Sequence, residues 1–168
     1  TWNRNAERMG VRLRVFCGSM CDWLEDRADL VEARERLFEL IGATEHLDWL
    51  MLSKRPENLR RFLPEAWRDG GCPANVWLGT TAESQEQADA RLPELCSVPA
   101  SVHFVSAEPL LGPLTLRDYD VDWLIVGSES GNGARPTEDA WVEALRDECE
   151  ELRRAFFLKQ LQDPTRRR

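Results

Sequence analysis

Six short apolar runs, rich in β-branched and aromatic residues, constrain the fold of this chain more than any other feature of its sequence. None alternates strictly between apolar and polar residues, as strands of a half-exposed antiparallel sheet do. Continuous runs of this length are typical of strands buried on both faces, in a parallel sheet covered by helices. The predicted strands cover residues 13–17, 49–52, 76–79, 102–105, 123–126 and 155–158.

Helical patterns separate these strands. In the clearest, residues 29–41, Leu30, Leu37 and Ile41 lie on one face because apolar residues recur every three or four positions. Similar patterns predict helices over residues 57–62, 84–95 and 138–152. Strands that alternate with helices predict a parallel α/β fold. The spacing is compatible both with an open doubly wound sheet and with a partial (βα), TIM-like barrel.

The length of 168 residues fits one domain. The chain starts at Thr1 instead of Met, and residues 2–9 already have the pattern of a helix interior. We therefore expect residues 1–168 to form a single partial barrel domain that lacks an upstream first βα unit.

The charge of the chain limits the kinds of partner that it can bind. A net charge of -8 argues against a protein that binds nucleic acid over its whole surface. Residues 152–168, which end in Arg166, Arg167 and Arg168, hold six basic residues and one acidic residue. Both a local basic contact and a solvated tail fit this run. We expect a cytoplasmic protein, because no apolar run has membrane length and the five cysteines lack disulfide spacing.

The chemistry is expected where the predicted strands end, because the carboxyl ends of parallel strands line one common face. The basic residues comprise 20 Arg and only two Lys, and both lysines, Lys54 and Lys159, directly follow a predicted strand. Arginine does not reproduce a compact ammonium with a titratable proton. We therefore predict Lys54 and Lys159 as catalytic candidates, with chance placement as the alternative.

Two carboxylates, Glu108 and Glu129, follow adjacent strands. They are predicted to hold an amino group or a ribose, to pair with Lys54 or Lys159, or to form a buried structural salt bridge. Residues 127–135 form a glycine-rich loop whose amides are suited to an anion or carboxylate. The cysteines and both histidines are predicted to be structural, and no metal site is expected.

Six segments carry a family resemblance: FCGSMCDWL (16–24), DWLMLSKRPEN (48–58), NVWLGTTAES (75–84), FVSAEPLLGPL (104–114), DWLIVGSESGNGARP (122–136) and FFLKQL (156–161). Together they resemble the phage and prophage proteins that bear a three-cysteine motif and are distantly related to radical S-adenosylmethionine enzymes. The resemblance covers essentially the whole chain. Its most specific parts are EPLLGP and the GSESGNGARP loop.

This resemblance implies a partial (βα) barrel that binds S-adenosylmethionine beside a [4Fe-4S] cluster held by three clustered cysteines. The chain departs from that pattern, since no three-cysteine cluster occurs in it. An upstream segment would have to supply the cluster, and the chain alone is not expected to generate a radical. The residues carried over as cofactor-pocket candidates are Ser19, Arg55, Glu108, Glu129, Ser130, Arg135 and Gln160, with Lys54 and Lys159 on the same edge.

Three functions follow. The first is the later part of a radical S-adenosylmethionine-like phage enzyme that acts on nucleic acid, a nucleotide or a peptide in the host cytoplasm. The second is a non-catalytic acidic phage module that binds a host or phage protein. The third is a conventional enzyme in which Lys54 or Lys159 forms a Schiff base or acts as an acid or base.

Overall fold

The sheet contains all six predicted strands. The computed structural model describes residues 1–18 and 20–161. The strands are β1 (Leu13–Cys17), β2 (Leu47–Ser53), β3 (Val76–Thr81), β4 (His103–Ala107), β5 (Trp123–Gly127) and β6 (Ala155–Gln160). Each is parallel to the next, and their order in the sheet equals their order in the chain. A doubly wound sheet reverses its strand order at a switch point. The sequential order therefore excludes that alternative and confirms the partial (βα) barrel, here a curled half-barrel.

Every predicted helix is present, together with one short helix, Glu65–Gly70, that the sequence pattern does not predict. The helices are α1 (Trp2–Met9), α2 (Val31–Gly42), α3 (Leu59–Phe62), α4 (Glu65–Gly70), α5 (Gln85–Cys96) and α6 (Asp139–Glu151), with short 3-10 turns at Ala28–Leu30 and Pro56–Asn58. The segment between β4 and β5 contains no helix, which agrees with its prolines and glycine. Within the described ranges, no helix is long and apolar enough to cross a membrane.

The two faces of the sheet carry separate cores. The helices cover the outer face, and the larger core lies there, built on residues such as Trp49, Leu78 and Val105. The inner face of the half-barrel carries a smaller cluster of Leu50, Phe104 and Ile125, with Leu52, Trp77 and Trp123 packed against it. A side chain at Gly79 would place a Cβ 2.3 Å from Phe104 Cζ. The bare backbone of β3 thus lets the Phe104 ring fill the inner face.

The expectation that every strand is buried on both faces is wrong for β1 and β6. Phe16 of β1 is 44% exposed, and Phe157 and Leu158 of β6 are 51% and 41% exposed. The physical reason is position, because β1 and β6 are the two edges of a described sheet that does not close into a full barrel. Trp49 is buried, whereas Trp77 and Trp123 are only partly buried, on the inner face.

Candidate functional site

The polar residues at the ends of the strands and directly after them lie along the carboxyl edge of the sheet, which we call the rim. The rim comprises residues 22, 53–55, 83, 108, 128–130 and 159–160. Ser19, a predicted pocket residue, and Arg166 to Arg168, the predicted basic contact, lie outside the described residues. The other predicted pocket residues are on the rim or, for Arg135, in the loop directly above it.

Asp22 organises the part of the rim that follows β1 and β2. Its carboxylate accepts hydrogen bonds from Ser53 Oγ at 2.5 Å, from the Lys54 amide at 3.0 Å and from the Arg55 guanidinium at 2.8 Å. The amide of Leu24 also donates to it, at 3.1 Å. Burial by itself would raise the pKa of Asp22, but these hydrogen bonds hold that pKa below its ordinary value. Asp22 therefore fixes the backbone that carries Lys54 and Arg55.

Glu83 receives the ammonium of Lys54. Lys54 Nζ lies 2.5 Å from Glu83 Oε1, and Arg91 donates to Glu83 Oε2 at 2.9 Å. Burial opposes the charge on Glu83, but the Lys54 contact, its own backbone amide and the Arg91 charge lower its pKa. The Lys54 side chain is half-exposed, whereas those of Glu83 and Arg91 are mostly covered. The predicted pocket residues include neither Asp22 nor Glu83, and strand-end position is the one sequence signal that points to them.

Glu108 meets the second lysine. Lys159 Nζ lies 2.9 Å from Glu108 Oε2, and Gln160 Nε2 lies 3.5 Å from Oε1. A Cβ on Gly127 would stand 3.0 Å from Glu108 Cγ, so the Glu108 side chain crosses the bare backbone of β5. A shift in the β5–β6 register next to Gly127 brings both Lys159 and Gln160 to this point. Of the arrangements expected for Glu108, the structure has a partly exposed ion pair with Lys159.

Glu129 has a cationic neighbour in its own loop. Arg135 donates to it through its amide at 2.8 Å, through Nε at 2.9 Å and through NH2 at 2.8 Å. The side-chain and amide hydrogen bonds of Arg135 lower the pKa of Glu129 to about 2. The backbone amide of Arg135, in the glycine-rich loop, therefore binds a carboxylate as expected. That carboxylate is Glu129, which belongs to the same loop. Ser130 is exposed beside this pair.

The described cysteines do not fit an iron–sulfur cluster. Burial raises the pKa of Cys17 to about 11 and that of Cys72 to about 12, so their thiolates are disfavoured. Cys149 is buried as well, and burial raises its pKa to about 11. Across residues 1–18 and 20–161, no three His, Cys, Asp or Glu side chains are grouped so that they could hold a metal ion.

The rim thus presents two carboxylate–lysine pairs, Lys54–Glu83 and Lys159–Glu108, on neighbouring parts of one edge. Such pairs offer donors and acceptors side by side, as a zwitterionic ligand requires. A family model, described as protein of unknown function (DUF5131), matches residues 1–167. The chain belongs to the DUF5131 family. No curated protein and no solved structure matches it.

Membership covers the whole rim, since every described rim residue of this DUF5131 chain lies inside the matched range. The family description states no activity.

Proposed function

We propose that the rim binds S-adenosylmethionine and that the chain is the later part of a radical S-adenosylmethionine-like phage enzyme, acting on nucleic acid, a nucleotide or a peptide. One observation carries the proposal. In a chain with 20 arginines, Lys54 directly follows β2 and Lys159 lies at the end of β6, and each touches a carboxylate supplied by another strand end. Parallel α/β enzymes place their ligands at this edge of the sheet.

The pairs match the methionyl end of S-adenosylmethionine, which carries an ammonium and a carboxylate. Glu83 or Glu108 is suited to accept from the ammonium, and Lys54 or Lys159 to donate to the carboxylate. Both lysines are about half-exposed, at 55% and 51%. The carboxylates are more covered, at 14% for Glu83 and 22% for Glu108, so the lysine is the exposed member of each pair that a ligand can engage.

The residues present support binding of S-adenosylmethionine but no step through a cluster, because the described cysteines do not fit one. When bound, S-adenosylmethionine supplies an activated carbon group. Lys54 Nζ and Lys159 Nζ each donate a hydrogen bond to a carboxylate, which suits an ammonium that holds or delivers a proton. A Schiff base would need the nitrogen lone pair, so this contact argues against the Schiff-base form of the third hypothesis but not against its acid–base form.

Calorimetric titration of the chain with S-adenosylmethionine tests the proposal. The variants are Glu83→Gln, Glu108→Gln and Glu129→Gln, and the matched control is Glu151→Gln, which removes an exposed ion pair with Arg117 away from the rim. We expect saturable binding that at least one rim variant weakens roughly tenfold, the value of a charge-assisted hydrogen bond, while the control leaves it unchanged. Absence of binding to the folded chain, or equal loss in the control, would refute the pocket.

A second candidate function is an acidic module that binds a basic host or phage protein. It is favoured by the net charge of -8 and by apolar residues exposed at the β6 edge, Leu158 and Leu161. This candidate predicts no binding of S-adenosylmethionine and capture of a specific basic partner in a pull-down. Leu158→Ser should then abolish capture, with Val31→Ser, an exposed position on α2, as the control.

A further inference from the structure

An exposed aromatic ring lies on the same face of the sheet as the Lys159–Glu108 pair, two residues before Lys159 on β6. Phe157 of β6 pairs in register with Ile125, a member of the inner-face cluster, so both side chains point to the inner face. Phe157 is 51% exposed. Lys159 follows two residues later, roughly 7 Å along the strand, and reaches the same face, since its ammonium contacts Glu108 over Gly127. A stacking surface and a polar pair are thus adjacent.

The other lysine has no such ring next to it on its own strand. Leu52 precedes Lys54 by two residues on β2, and Leu50 precedes it by four. The exposed ring of Phe16 on β1 pairs in register with Leu50. It therefore lies two residues further from the rim than Leu52 does. Glu83 is also held by Arg91 at 2.9 Å. The two pairs therefore differ in what they can bind, although both join a lysine to a carboxylate.

We infer that the second pair binds a guanine base. The base stacks on Phe157, as bases stack on exposed aromatic rings in nucleic-acid binding proteins. The two Glu108 oxygens accept from N1–H and from the 2-amino group, and Lys159 donates to O6. Guanine is the base whose Watson–Crick edge presents two adjacent donors beside an acceptor. On adenine or cytosine a carboxylate meets one amino group and then the lone pair of a ring nitrogen, which repels it.

This inference rests on the proposed function in one respect. It assigns S-adenosylmethionine to Lys54–Glu83 and the guanine of a substrate to Lys159–Glu108. A guanine base can come from a mononucleotide or from a nucleic-acid strand. The net charge of -8 opposes a long polyanion, so the mononucleotide is the expected source.

The test is calorimetric titration of the chain with guanosine 5′-monophosphate, and with the inosine and adenosine monophosphates as comparison ligands. Inosine lacks only the 2-amino group. We expect it to bind roughly tenfold more weakly than the guanosine nucleotide, because one hydrogen bond to a charged group is lost. Glu108→Gln and Phe157→Leu should each weaken the binding of guanosine monophosphate roughly tenfold or more. Phe16→Leu, an exposed aromatic on the other edge strand, is the control and should leave binding unchanged.

Circular dichroism confirms that each variant is folded. Equal binding of adenosine monophosphate, an unchanged affinity in Glu108→Gln, or no binding to the folded chain would each overturn the inference. A single-stranded oligonucleotide with one guanine distinguishes the source, since tighter binding of the strand than of the nucleotide assigns the base to nucleic acid. The proposed function is tested separately by S-adenosylmethionine and Glu83→Gln, so either result stands without the other.

Discussion

Lys159 Nζ lies 2.9 Å from Glu108 Oε2, although β5 separates the strands that carry them. The contact is formed because Gly127, at the end of β5, has no side chain and leaves the path across the strand open. An ion pair that spans three strands at the rim ties the half-barrel together only weakly, since the Lys159 ammonium is half-exposed to water. Because the pair contributes little to stability and its lysine is open to water, we regard it as a candidate ligand site and not as a structural salt bridge.

A double-mutant cycle measures how much the Lys159–Glu108 pair contributes to the free energy of unfolding. Glu108→Gln, Lys159→Met and the double variant should give a coupling free energy of about 0–1 kcal/mol in urea unfolding, as for other exposed ion pairs. The matched reference is the Arg117–Glu151 pair, also exposed, which should couple to a similar extent. A coupling of about 3 kcal/mol or more would identify Lys159–Glu108 as a structural bridge, as expected for a buried pair.

Gly79 is required by the inner face. In Gly79→Ala the new Cβ would lie 2.3–2.5 Å from three atoms of the Phe104 ring, which is fully buried and cannot move aside freely. We expect a loss of about 1–3 kcal/mol in the free energy of unfolding, the usual cost of overpacking. Gly112→Ala is the control, since a Cβ added there would meet no atom within 4 Å. Equal stability of the two variants would show that Phe104 does not pack on β3 in this way.

Asp22 should contribute to acid stability. Its pKa in the folded chain is lower than in the unfolded chain, so its stabilisation is present above the unfolded value of about 4 and is lost as the pH falls through the folded pKa. Asp22→Asn should lower the unfolding free energy at pH 7 by about 1–3 kcal/mol, because an amide nitrogen cannot accept from Arg55 or Lys54.

The same variant should show a shallower loss of stability below pH 4, measured by urea unfolding across the pH series. Asp118→Asn, in an exposed turn, is the control and should follow the unmodified chain. If Asp22→Asn and the unmodified chain lose stability in parallel in acid, the Asp22 carboxylate does not have the hydrogen bonds described for it.

Thiol alkylation should separate the cysteines by exposure. Burial raises the pKa of Cys17, Cys72 and Cys149, so at pH 8 their thiolates are scarce and covered. Cys21 is exposed. Iodoacetamide followed by peptide mass spectrometry should label Cys21 first, and all five cysteines equally once the chain is unfolded. Fast labelling of Cys72 in the folded chain would show that this thiol is not packed against the core as described.

The strands and helices are predictable from the sequence because their signals are local. An apolar run of four or five residues marks a strand, and spacings of three and four mark a helix, whatever the rest of the chain does. The position of Lys54 and Lys159 on one edge follows as well, since all strands of a parallel sheet point the same way. The sequence alone thus determined the fold class and the edge on which the polar residues lie.

Only the tertiary structure decided which residues meet. The order of the strands, and with it the half-barrel, depends on pairings between distant segments that leave no local signal. Lys54 contacts Glu83 and not Glu108 or Glu129, because Glu83 ends the neighbouring strand. Lys159 reaches Glu108 through a register shift and a glycine in a strand between them. These contacts depend on the relative register of strands, and in a parallel sheet that register is set by packing over the whole molecule.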